Sequence, residues 1–346
     1  EYCLTINNPF GRLLITKLFS VESTMRPEVP KTKTAYLDAL QERVLVFDGA
    51  MATNLQALLL TTSDCDMLKT PSPYESLVLS APNLIAEVHR QFLAAGVDVL
   101  QTNTFQANRI ALAKYGLAHK TDEINTIAAL IARDEIDKFN HDGKQRFVAG
   151  SMGPSGVFLP GVDAVRNEQT YEDIADVYCQ QARALLQGDV DLLLLETVID
   201  LEELKTAVAG IHQAFVLESM RVPLQAQVSL DAHGKMVCGA DIQAVLAVFE
   251  SLPVNVIGLN CGEGPEQMRA PIAYLSEHST KPIAAIPNAG IPQKVDGALV
   301  YPVGPKEFAK TLLGYVEAFG VRAIGGCCGT RAEHIRALLG GLQRLS

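Results

Sequence analysis

The chain has 346 residues, 48% of them hydrophobic and 20% charged, with a formal net charge of −10. That is ample apolar material for a large core, and the acidic balance argues against nucleic acid, which selects a basic footprint. No apolar run reaches the roughly 18 residues of a membrane span. The seven cysteines are scattered and are not a dense secreted framework, so a reducing cytoplasm is the expected compartment.

The first 24 residues carry a short apolar patch, Leu13 to Phe19, beside Arg12 and without a clear cleavage site. Met25 follows, and then a polar stretch from Arg26 to Lys33 that contains prolines. The expectation is a native start at or near Met25, a weakly ordered extension over 1–33, and a single domain over 34–346.

From Val44 onward one pattern repeats: a short apolar run ends in a polar or Gly-rich turn, and a helical stretch follows. The expected strands are Val44–Phe47, Val97–Gln101, Phe147–Ser151, Val190–Glu196, Leu224–Leu230, Val254–Asn260, Pro282–Pro287 and Val321–Gly325. Near-continuous apolar runs fit parallel strands covered on both faces. Helix signals fall between them. Pro82 stands at a first helical position, Thr170 and Asp173 form a capping pair, and Gly188 closes that helix. Further helices are expected over 201–211, 241–249, 265–275, 305–319 and from Arg331 to about Leu342, the last opened by Thr330 and Glu333 as a capping box. Eight alternations with no Gly-rich turn after the first strand favour a single (β/α)8 TIM barrel over a doubly wound sheet.

In such barrels the chemistry gathers at the C-terminal ends of the strands. Those ends here carry Asp48, Gln101 to Thr104, Gly153-Pro154, Glu196-Thr197, Asn260-Cys261, Asn288 to Gly290 and Gly326 to Cys328. The connection from Leu58 to Ser76 reads as an extended loop over that rim. Cys179 and Cys238 read as ordinary thiols. His89, His119, His212, His233 and His334 lie away from strand ends and read as surface or packing residues.

Cys261, Cys327 and Cys328 therefore converge on one rim. Three thiolates match a zinc site with one open position, and soft sulfur favours zinc over magnesium or calcium. Three reduced thiols without a metal, or a transient disulfide, remain the alternatives on residues alone. Zinc held by three thiolates is a poor activator of water. It suits a bound substrate thiol, kept electron-rich for alkyl transfer to sulfur. Asp48 ends the first strand, and Glu196 follows four leucines in the fourth, where a carboxylate is costly unless paired. An amino-acid ammonium would pair with them, and backbone N–H groups around Gly49 to Thr53 could hold a carboxylate. Asn288 reads as a substrate-binding residue, a hydrogen-bonding group beside the metal or an oxygen ligand to it when substrate is absent.

Taken together, Asp48-Gly49-Ala50-Met51, Gln101-Thr102-Asn103-Thr104-Phe105, Gly150-Ser151-Met152-Gly153-Pro154, Glu196-Thr197, Gly258-Leu259-Asn260-Cys261 and Gly325-Gly326-Cys327-Cys328-Gly329-Thr330 resemble the homocysteine S-methyltransferase family over about residues 40–343. Pro287-Asn288-Ala289-Gly290-Ile291-Pro292 is most similar to the homocysteine-binding module of the cobalamin-dependent methionine synthases within it. The resemblance implies a methyltransferase with Cys261, Cys327 and Cys328 on zinc and with Asp48 and Glu196 on the homocysteine ammonium. It also implies methylcobalamin as methyl donor, with cobalamin- and folate-binding domains outside these 346 residues. Ala52 stands where the family usually has Gly, a substitution that would cost strain if the turn needs positive φ there. Gln101 stands where methionine synthases often carry Glu. Two other readings accompany this one: a stand-alone methyltransferase using S-methylmethionine or betaine, and a non-catalytic zinc- or thiol-binding barrel in which Ala52 marks lost activity.

Overall fold

The structure, a computed structural model, describes residues 31–61, 73–157, 169–295 and 298–345. The expected start at Met25, most of the 1–33 extension and most of the rim loop before Ser76 lie outside the described residues. Within them, the short strand Lys31–Thr32 pairs in parallel with Met220–Arg221.

Eight strands form the sheet: β1 Leu45–Val46, β2 Val99–Gln101, β3 Phe147–Met152, β4 Leu192–Val198, β5 Leu224–Val228, β6 Val256–Cys261, β7 Ile283–Pro287 and β8 Ala323–Ile324. Each falls on one of the expected apolar runs, several trimmed at the N-terminal end and three extended by one or two residues at the other. All neighbours are parallel, and β8 returns to pair with β1. The sheet closes where Phe47 bridges Val99 in parallel, with Asp48 N–H donating to the Val99 carbonyl at 3.0 Å. The molecule is therefore a (β/α)8 barrel.

The surrounding helices include α1 Ala35–Glu42, α2 Met51–Thr61, α3 Pro82–Ala95, α4 Thr121–Phe139, α5 Tyr171–Gln187, α6 Leu201–Leu217, α7 Ile242–Ser251, α8 Arg269–His278, α9 Pro305–Phe319 and α10 Ala332–Leu345. Their buried residues recur at three and four, as in Ile85, Val88, Phe92 and Leu93 of α3. The capping box of α5 forms as expected, with Thr170 and Asp173 bonding each other's backbone N–H. The one expected at α10 is replaced: the Thr330 hydroxyl donates to the Cys327 carbonyl at 2.6 Å, and the helix starts two residues later.

Helix α1, which the strand-helix pattern did not anticipate, closes the N-terminal end of the barrel. Tyr36 sits edge-on to Phe47 and Phe147 inside it, and its hydroxyl donates to Gln225 Oε1 at 2.5 Å. Arg322, just before β8, donates to the carbonyls of Leu40 and Gln41 and so ties α1 to the barrel wall. The interior is filled by alternate strand residues such as Leu45, Val99, Leu192, Leu194 and Val256, all fully buried.

The seam between β1 and β2 depends on a buried carboxylate. Asp98, 2% exposed, accepts from the Val46 N–H at 2.8 Å and pairs with Arg43 at 2.5 Å and Lys144 at 3.0 Å. Asp98→Ala leaves the Val46 N–H unpaired in the barrel wall, while the two cations recover solvent. The expected loss in urea unfolding is about 2–3 kcal/mol. A loss below about 0.5 kcal/mol, the scale of an ordinary surface substitution, would show that the seam does not need it.

Candidate active site

Cys261 is the last residue of β6, and Cys327 and Cys328 lie in the turn after β8. Those strands are not neighbours, because β7 runs between them. The residue after β7, Asn288, bridges the gap with three hydrogen bonds. Its Oδ1 accepts from Cys328 N–H at 2.9 Å, its Nδ2 donates to the Gly262 carbonyl at 2.6 Å, and its own N–H donates to the Cys261 carbonyl at 3.1 Å. Cys327 N–H donates to the Pro287 carbonyl at 2.8 Å. Gly329 completes the turn in the left-handed region at φ +79, where a side chain would be strained and would also strike the Tyr301 ring.

The three Sγ atoms lie within 4.8 Å of one another. Three sulfurs at about 2.3 Å from one tetrahedral ion stand about 3.8 Å apart, so this grouping fits a soft metal with little movement. Hydrogen bonds from Cys327 and Cys328 hold the Cys261 thiol well below its ordinary range. The same contacts, with burial, push Cys327 and Cys328 up. The cluster alone favours one negative charge. Three thiolates together call for a cation between them.

Cys261 has a left-handed backbone at φ 61, and Thr197 at the end of β4 has φ 58. Such conformations cost about 1–3 kcal/mol each and persist only where surroundings impose them. Asn260, fully buried, imposes the one at Thr197. Its Oδ1 accepts from Thr197 N–H at 2.8 Å, while its Nδ2 donates to Thr197 Oγ1 at 2.7 Å and Glu196 Oε2 at 3.0 Å.

Glu196, 7% exposed, also accepts from the Ser151 hydroxyl at 2.5 Å. Asp48, 1% exposed, accepts from Gln101 twice, from its N–H at 3.0 Å and its Nε2 at 2.8 Å. Burial pushes Asp48 up to about 8, with the Glu196 charge adding to the rise. Burial likewise pushes Glu196 up to about 7. Among the described residues, neither forms an ion pair with Lys or Arg. Two desolvated carboxylates that feel each other, oriented only by neutral donors, make a socket for a small cation.

Gly49 lies between Asp48 and the start of α2. A Cβ there would stand 2.6 Å from Thr330 Oγ1 and 2.9 Å from the Phe92 ring, so only glycine fits. Ala50 N–H donates to Thr330 Oγ1 at 3.3 Å, which joins this turn to the cysteine loop. Ala52 is an ordinary residue of α2 and is not among the residues with positive φ, so the strain considered for it does not arise. Both side-chain amide atoms of Asn288 bond backbone atoms of the two cysteine loops, which gives it a positioning role. The parts played by Gln101, Ser151, Asn260 and Thr330 were not read from the sequence. The signal was their place in the strand-end motifs, but their partners depend on register. The histidines stay away from the strand ends; His89 is fully buried in α3.

The family model described as homocysteine S-methyltransferase matches residues 45–340. A methionine synthase of Mycobacterium leprae is 37% identical over 311 residues, covering 90% of this chain and 25% of its own length. That of Mycobacterium tuberculosis is 38% identical over 303 residues, covering 88% and 25%. The chain thus spans about a quarter of the length of these curated relatives. Among solved structures, the metallated form of the homocysteine methyltransferase MmuM from Escherichia coli aligns with a TM-score of 0.68 at 25% identity, covering 88% of this chain and 98% of that one. Fold, sequence and strand-end motifs agree, and the chain belongs to the homocysteine S-methyltransferase family.

Proposed function

We propose that the chain binds zinc and homocysteine and presents the homocysteine sulfur for methylation to methionine, as the homocysteine-binding module of a cobalamin-dependent methionine synthase. The observation that carries this is one rim holding a three-thiol cluster next to two buried carboxylates that, among the described residues, pair with no Lys or Arg. Cys261, Cys327 and Cys328 are the zinc ligands in this reading. If bound there, zinc on these three thiolates would carry a net charge of −1 and would keep a substrate thiol ionised and nucleophilic at neutral pH.

The chain's own residues do the rest. Asp48 and Glu196 take the substrate ammonium, which supplies the positive charge their burial calls for. Gly49 and the first turn of α2 offer N–H groups to the substrate carboxylate. Asn288 holds the two cysteine loops at the separation the metal needs. Anchoring the amino-acid end fixes the thiol near the metal and so favours its transfer geometry. Methylcobalamin is the donor, carried with a folate site on other domains or chains. A reducing cytoplasm keeps the thiols available for zinc.

The identity of 37–38% to proteins named methionine synthase favours this reading. The 98% coverage of MmuM supports a second, a stand-alone methyltransferase with a small donor such as S-methylmethionine or betaine. The absence of tryptophan removes a preferred surface for such cationic donors. A third reading, a non-catalytic zinc- or thiol-binding barrel, loses its support at Ala52, where the helix shows no positive φ.

The zinc-loaded chain, incubated with homocysteine and each donor in turn, is expected to form methionine from free methylcobalamin and none from S-methylmethionine or betaine. Product from a small donor alone replaces the module reading with the stand-alone one, and no product from any donor leaves only the non-catalytic one. Cys328→Ala keeps the backbone bonds to Asn288 and Ala289, so it should fold with a near-normal Tm yet bind zinc well below one equivalent. Stoichiometric zinc in that variant would refute the ligand assignment.

A further inference from the structure

Two glutamines inside the barrel have no part in the site described above. Gln225 and Gln227 alternate on β5 and are both fully buried. Gln225 faces α1, where its Oε1 accepts from Tyr36. Gln227 lies two residues nearer the catalytic rim on the same inward face. Neither its Oε1 nor its Nε2 has a hydrogen-bond partner among the described residues.

The strands on each side treat Gln227 unusually. On β4, Leu195 pairs with Ala226 and Val198 with Val228, so Glu196 and Thr197 together stand opposite Gln227 alone. This is a bulge of the kind that re-aims side chains beside active sites. On β6, Gln227 pairs with Gly258, which pairs in turn with Ala284 on β7. Those positions carry no side chain or only a methyl, so neither offers a side-chain hydrogen-bond partner to the Gln227 amide. Asn260, which holds Glu196, is the next inward residue of β6 toward the rim.

Buried amides in native proteins are paired almost without exception, and those left open are commonly kept for a ligand or an ordered water. Gln227 offers a donor and an acceptor at the level of Glu196, one of the two carboxylates of the proposed amino-acid socket. We propose that Gln227 is a substrate-binding residue, whose amide hydrogen-bonds the polar amino-acid end of the thiol substrate and discriminates against thiols that lack it. This rests on the amino-acid-binding reading of Asp48 and Glu196. A site built to hydrogen-bond a substrate rejects analogues that leave its buried groups unpaired.

The test is equilibrium binding to the zinc-loaded chain of homocysteine and of 1-propanethiol, which has a similar tail and no amino-acid end. Gln227→Met removes the amide at similar volume. It should weaken homocysteine about tenfold, equivalent to about 1.4 kcal/mol, leave 1-propanethiol unchanged, and leave the Tm of the free protein equal or higher. Unchanged homocysteine affinity overturns the assignment, and so does equal weakening of both thiols. Gln227→Asn, which withdraws the amide by one methylene, is measured in parallel and read the same way if the Met variant does not fold. Failure of the wild-type chain to bind homocysteine would overturn the proposed function itself, whereas normal wild-type binding with an unaffected variant overturns only the role of Gln227.

Discussion

The site depends on bringing thiols from two strands that do not touch. Cys261 and the Cys327-Cys328 pair are separated by β7, and a barrel wall does not by itself bring such positions together. Asn288 supplies the constraint. It sits at the end of the intervening strand and bonds one loop through its oxygen, the other through its nitrogen, and Cys261 through its own N–H. Adjacent cysteines on a regular strand would point to opposite faces. Here the strand stops at Ile324, and the irregular turn that follows frees both thiols to approach Cys261.

The carboxylate half of the site rests on a different principle. Asp48 and Glu196 are buried, the Glu196 charge raises Asp48, and among the described residues neutral donors orient both. That arrangement is unfavourable in the free protein and becomes favourable when a cation arrives. The strained backbone at Thr197 and Cys261 belongs to the same pattern. Asn260 connects the two halves, since it follows Leu259 in the strand that ends at Cys261 and holds Glu196 with its side chain. Local cost is concentrated where the ligand would repay it.

The eight strands were legible because apolar, β-branched runs fall at regular spacing, and their ends placed the cysteines and acids on one rim without further assumption. Other features were not. Helix α1 is a single short amphipathic segment, and nothing in its pattern marks it as a plug; its role comes from Tyr36 reaching Gln225 across the barrel. Thr330 and Glu333 fit a capping box, but the Thr330 hydroxyl has a nearer claim on the Cys327 carbonyl. Ala52 looked strained by comparison with glycine in its relatives, yet α2 has already begun there. Asn260 and Ser151 gain meaning only through register, which sets them beside Glu196.

In the proposed function, metal and amino-acid socket act together on one substrate. Calorimetric titration of the full chain with homocysteine, zinc-loaded and zinc-stripped, tests it most directly. Homocysteine should bind at least about a hundredfold more weakly without zinc, a difference of about 2.7 kcal/mol, and its affinity should recover on adding one equivalent of the metal. Equal affinity in the two forms would contradict it.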